Sequence, residues 1–275
     1  MTEKLASRLE AAFARARSLG RAALLCYLPA GFPDRASSED ALVAAARSGA
    51  DVLEIGIPYS DPVMDGPAIQ RAGQMALDQG MSVAGAIELG RAVGRRSGTP
   101  YVFMTYYPLV YRHGLERFAR EAAGAGAAGV ILPDLPPEEA GPWREAAGAQ
   151  GLATVFLAAP TSTDERLRAI GVISRGFIYC ASRLGVTGVR DALAGGVEEM
   201  VARVRAVTDL PLAVGIGVSN ALQAAEVARV ADGVIVGSAL VDAMLDAISP
   251  AESVKAVGEL VRRLAAGVAS TARPS

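Results

Sequence analysis

The chain has 275 residues, 51% of them hydrophobic and 20% charged, with a formal net charge of -2. A balance this close to neutral, on the acidic side, excludes nucleic acid as the main partner, because phosphate-tracking surfaces need clustered Lys and Arg. No apolar run approaches the about 18 residues of a membrane span, and the charged N-terminus lacks the apolar core of a secretory signal.

The first 20 residues read as an amphipathic helix with Leu5, Leu9, Ala12, Phe13 and Ala16 on one side. Strand-length apolar runs then recur at 23–29, 51–57, 101–105, 129–133, 153–158, 177–181, 211–215 and 233–236. Helical stretches separate them at 39–48, 67–79 with 83–96, 115–123, 137–150, 164–171, 197–207, 221–229 and 239–247, and a terminal helix covers 251–266. Several strands are apolar on both faces, as parallel strands covered by helices are. These eight β-then-α units, with no Pro/Ser-rich linker between them, predict one domain over residues 1–275. Its architecture is a (β/α)8 TIM barrel with an added N-terminal helix. The competing architecture, an open doubly wound sheet, calls for GxGxxG after the first strand, and residues 29–34, PAGFPD, are not that motif.

Cys26 and Cys180 fall in strand runs, which predicts buried reduced thiols and a cytoplasmic protein. The single histidine, His113, precedes a predicted helix and is expected at a surface or capping position. One histidine excludes a His-rich metal site, and no GxSxG elbow accompanies it. Protons in an enzyme of this sequence therefore pass through carboxylates or tyrosines.

In such a barrel the strand C-termini and the loops after them form the active face. Glu54 stands there inside an apolar strand. A buried ionised carboxylate costs several kcal/mol unless it is paired or protonated, so Glu54 is either a working acid or half of a stabilising ion pair. Tyr27, Met104, Tyr106 and Tyr179 are expected to wall its mouth and raise its pKa by desolvation. Asp65, on the following loop, is expected to be wetter and ionised, ready to accept a hydrogen bond from a ligand N–H. Asp61 precedes Pro62 and reads as a loop-structuring or interface residue, and Asp134 as the cap of the next helix. Across the mouth, VGIGVS (214–219) and VIVGSAL (234–240) end the last two strands. Glycine lets a backbone approach phosphate oxygens, and N–H groups at a helix start donate to the anion. Segment 182–196, long and rich in Gly and Ala, reads as a closing lid or as a plain surface loop, and Gly188 as a third phosphate donor.

At these residues the sequence resembles the tryptophan synthase alpha chain family. The resemblance is carried by LEIGIPYSDPVMDGPAIQ (53–70), MTYYPLVYRHG (104–114), LPDLPPEE (132–139), SRLGVTG (182–188), VGIGVSN (214–220) and GVIVGSAL (233–240). It implies a lyase that cleaves indole-3-glycerol phosphate to indole and glyceraldehyde 3-phosphate by acid/base retro-aldol chemistry, in L-tryptophan biosynthesis, without metal or cofactor. Within it, Glu54 matches the catalytic acid/base and Asp65 the carboxylate that binds the indole N–H. Tyr27, Tyr106, Tyr179 and Thr187 match substrate-side positions, Thr187 on the lid. Gly188, Gly217, Gly237 and Ser238 match the phosphate contacts. The implied partner is a pyridoxal-phosphate-bearing beta chain in an alpha2beta2 assembly, docked on loops 58–66 and 106–111. The sequence departs from the family where Pro108 and Leu109 replace its usual Asn-Pro pair. A stand-alone lyase and a non-catalytic phosphate-binding subunit are the alternatives.

Overall fold

The computed structural model describes residues 5–181 and 196–271. Its strands are β1 (Ala23–Pro29), β2 (Val52–Gly56), β3 (Tyr101–Met104), β4 (Gly129–Ile131), β5 (Ala153–Val155), β6 (Leu157–Ala158), β7 (Ile178–Ala181), β8 (Leu212–Gly215) and β9 (Gly233–Val236). All neighbours pair in parallel, in the order β5-β4-β3-β2-β1-β9-β8-β7-β6. The two ends of that order, β5 and β6, are consecutive in the chain and separated by Phe156 alone. They are two pieces of one predicted strand, one bonded to β4 and the other to β7, so the sheet wraps into a barrel.

Side-chain alternation then divides the core in two. Leu24, Cys26, Leu28, Leu53, Ile55, Phe103 and Val214 point outward to the helices. Ala23, Leu25, Val52, Val102, Val155, Phe177, Ala213 and Ile235 fill the lumen. Helix α1 (Ser7–Ser18) stoppers the lumen with Leu9, Phe13 and Ala16, and the Phe13 ring lies 5.5 Å from that of Phe177. At the same end Asp51 pairs with Arg21 at 2.6 Å and accepts the Leu24 N–H at 2.8 Å, tying the starts of β1 and β2 together.

The helical layer comprises α2 (Arg35–Arg47), α3 (Pro67–Asp78), α4 (Val83–Ser97), α5 (Tyr107–His113), α6 (Leu115–Ala125), α7 (Gly141–Ala149), α8 (Asp164–Ile173), α9 (Val197–Arg205), α10 (Ala221–Val230), α11 (Ser238–Leu245) and α12 (Pro250–Ala269). Among the described residues no helix is long and apolar enough to cross a membrane. Three differences from the sequence reading have local causes. Helix α2 begins four residues before the predicted start, because Asp34 accepts the Ser37 N–H at 2.8 Å and caps it there. The stretch read as one helix over 137–150 is a 3-10 turn (Pro137–Glu139) followed by α7, whose first turn takes Pro142, a residue without an N–H to continue the ladder. Helix α5 was not expected; His113 ends it and also stands just before the start of α6, as expected. The imidazole sits 2.7 Å from Glu121 on α6, edge-on to Phe118, so it joins two helices away from the strand ends.

Candidate active site

The register sets which side chains meet at the C-terminal mouth. Tyr27 on β1 stands beside Glu54 on β2, and Gly56 beside Met104 on β3. Glu54 lies two residues after the lumen residue Val52, so it shares the inward face. Its relative exposure is 0%, and neither carboxylate oxygen has a hydrogen-bond partner among the described residues. Among the described residues no Lys or Arg pairs with it, which favours a working acid over an ion pair. Burial pushes its pKa up to about 8, so the carboxyl is protonated at neutral pH. Glu54 sits just behind the cavity wall, within electrostatic reach of Tyr27 and Tyr179, which line it.

That wall is formed by Tyr27, Met64, Asp65, Gly66, Ile69, Met104, Tyr179, Gly215, Gly217, Ile235, Gly237 and Ser238. One cavity therefore joins Asp65 and two of the expected tyrosines to the glycine turns on the far side. Met64, Ile69 and Ile235 went unremarked in the sequence. Ile235 on β9 alternates with Gly237 just after the strand, and Ile69 lies in the first turn of α3, so periodicity pointed to both.

Three positions depart from expectation. Asp65 is less wet than a loop position suggested: burial raises its pKa, while a hydrogen bond from Tyr106 lowers it. Tyr106 is 4% exposed and absent from the cavity wall. Its hydroxyl instead accepts the Met64 N–H at 3.0 Å. Asp134 does not cap the helix after it. It reaches back to accept the Tyr107 N–H at 2.8 and 3.1 Å, fixing the start of α5.

The glycines earn their places by geometry. Gly217 has φ +80°, which only glycine adopts without strain. A Cβ at Gly215 would lie 2.7 Å from the Tyr179 hydroxyl, and one at Gly237 would lie 3.2 Å from the Tyr27 ring. Gly237 thus makes room for Tyr27 as well as leaving its own backbone open to the cavity. Gly237 and Ser238 open α11, where the first N–H groups have no intrahelical acceptor. Thr187, Gly188 and most of the expected lid lie outside the described residues.

A family model for the tryptophan synthase alpha chain matches residues 13–269. The chain belongs to the tryptophan synthase alpha chain family. It is 52% identical to the tryptophan synthase alpha chain of Streptomyces coelicolor over 93% of this chain and 94% of that one. It is 48% identical to that of Mycobacterium marinum, covering 97% of this chain and 96% of the relative. A solved tryptophan synthase chain from Mycobacterium tuberculosis superposes with TM-score 0.88 at 46% identity, over 95% of this chain and 98% of that chain. The alpha subunit from Legionella pneumophila superposes with TM-score 0.88 at 32% identity, over 96% and 99%. Members of this family are TIM-barrel lyases that cleave indole-3-glycerol phosphate in tryptophan biosynthesis, and the family implies a beta-chain partner.

Proposed function

We propose that this chain, folded as one domain over residues 1–275, cleaves indole-3-glycerol phosphate by proton transfers through Glu54 and charge stabilisation by Asp65, with no metal or cofactor of its own. Neutral Glu54 gives its proton to indole C3, and the ring becomes an indolenine-like cation. Asp65 accepts the indole N–H hydrogen bond and stabilises that positive charge. The glycerol hydroxyl attached to the breaking bond then returns a proton to the Glu54 carboxylate. Its electron pair becomes the aldehyde carbonyl, and the C–C bond electrons restore aromatic indole, so protons and electrons balance.

The observation that carries this reading is the fully buried Glu54 carboxyl on the lumen face, without a hydrogen-bond partner among the described residues. It lies under a cavity that joins Asp65 to Gly217, Gly237 and Ser238. The distal phosphate is held at that glycine side, with Gly188 contributing a further donor, while Thr187 on the lid helps order the site. Tyr27 and Tyr179 border the reacting ring. The chain works in the cytoplasm as the alpha subunit of an alpha2beta2 assembly whose beta chain carries pyridoxal phosphate, and loops 58–66 and 106–111 form the docking face.

The test is Glu54→Gln, which keeps shape and removes the transferable proton. Indole release is expected to vanish while substrate affinity stays within a few-fold of the parent. Affinity lost together with rate would contradict a proton-transfer role.

A further inference from the structure

Tyr106 stands apart from the other tyrosines of the mouth. Tyr27 and Tyr179 line the cavity, whereas Tyr106, only 4% exposed, does not. Its contacts fall on loop 58–66 instead. The ring packs on Tyr59 with centroids 5.2 Å apart, and the hydroxyl accepts the Met64 N–H at 3.0 Å, one residue before Asp65, whose charged form it favours. The loop is thus gripped near its start and at its end, beside the carboxylate assigned to the indole N–H. Tyr106 is itself fixed from the barrel side. It is the residue preceding α5, and the next backbone N–H is held by Asp134.

We propose that Tyr106 is a positioning residue and not a substrate contact: its hydroxyl ties loop 58–66 to the barrel and aims the Asp65 carboxylate at the indole N–H. The proposal rests on the role given to Asp65 above. The groups facing Asp65 are Tyr106, Tyr27 and Tyr179, and Glu54 faces the same two cavity tyrosines. Tyr106 also faces Asp134. Burial holds the Tyr27 and Tyr179 phenols protonated, and Tyr106 is the contact that favours ionised Asp65. Loss of that bond raises the Asp65 pKa, so the low-pH limb of activity moves to higher pH.

The test is Tyr106→Phe, assayed for indole release in the assembly with the beta chain. The ring stays against Tyr59 and only the hydroxyl is lost. Misplacement of a charge-stabilising group predicts a kcat loss of roughly 10- to 100-fold, KM within about 3-fold, and the upward shift of the acid limb. In an Asp65→Asn background the same change is expected to cost less than about 2-fold, because a residue that acts through another has no effect once the other is gone. A parent-like kcat and acid limb in Tyr106→Phe overturns the proposal. So does a raised KM with unchanged kcat, or a multiplicative loss in the double variant. A parent-like rate in Asp65→Asn overturns the assignment of Asp65 and this proposal together, whereas an inactive Asp65→Asn beside a parent-like Tyr106→Phe overturns this proposal alone.

Discussion

A carboxyl buried out of water is costly to ionise, and Glu54 carries that cost in a way pH can reveal. Burial lifts its pKa from 4.5 to about 8. Below 4.5 the group is protonated folded or unfolded and contributes nothing to the difference. Between 4.5 and about 8 the folded chain keeps a proton that the unfolded chain releases, so this group's contribution to stability falls as pH rises and levels off above about 8. Glu54→Gln removes the penalty. Thermal unfolding of the ligand-free chain is therefore expected to show the variant gaining on the parent from pH 5 to pH 8, and a constant difference would count against a buried neutral acid. The rate of the parent should fall above about pH 8, where the acid is ionised. Asp65 acts by charge instead. Asp65→Asn is expected to lower indole release by more than about 100-fold, on the scale of a lost charge-stabilising donor or acceptor. Steady-state kinetics at saturating substrate measure this, and a variant near the parent's rate removes Asp65 from the mechanism.

Elements hold these residues in place through packing laid down far from the chemistry. Helix α1 closes the lumen at the end opposite the cavity, and Phe13 is 3% exposed within it. Phe13→Ala leaves a hole beside Phe177 and is expected to cost about 3–5 kcal/mol of stability. Urea unfolding should show this as a lower midpoint, while the KM of the surviving folded protein stays near the parent's. Most elements were legible because strand-length apolar runs, helical periodicity and Gly and Pro punctuation report directly on backbone geometry. Helix α5 was hidden for a physical reason: seven residues, three of them aromatic or proline in the first five, form no amphipathic stripe. Its start depends on Asp134, 27 positions away, accepting the Tyr107 N–H. Pro108 fits that helix's first turn, where its missing N–H has no intrahelical partner anyway. The departure from the family's Asn-Pro pair is therefore compatible with an ordered segment at 106–111.

For the whole molecule, the same face that opens the cavity carries loop 58–66 and α5, with Val63 at 65% exposure and Tyr111 at 66%. Apolar side chains exposed beside a working site suit a partner's surface. Added beta chain is expected to raise indole release by this chain, and light scattering of the mixture to report a species of two copies of each. High turnover unaffected by the beta chain would favour a stand-alone lyase, and absence of turnover with or without it a binding subunit.

The barrel class and the candidacy of Glu54, Asp65, Gly217, Gly237 and Ser238 were legible in the chain's own pattern, because a charge inside an apolar run and glycine punctuation are local properties, whereas strands apolar on both faces left the inward face to the structure. The partners of Asp65, Tyr106 and Asp134 were decided only by tertiary structure. How dry a carboxyl is, and which hydroxyl or backbone N–H it meets, depends on side chains brought together from distant strands, and no local spacing encodes that meeting.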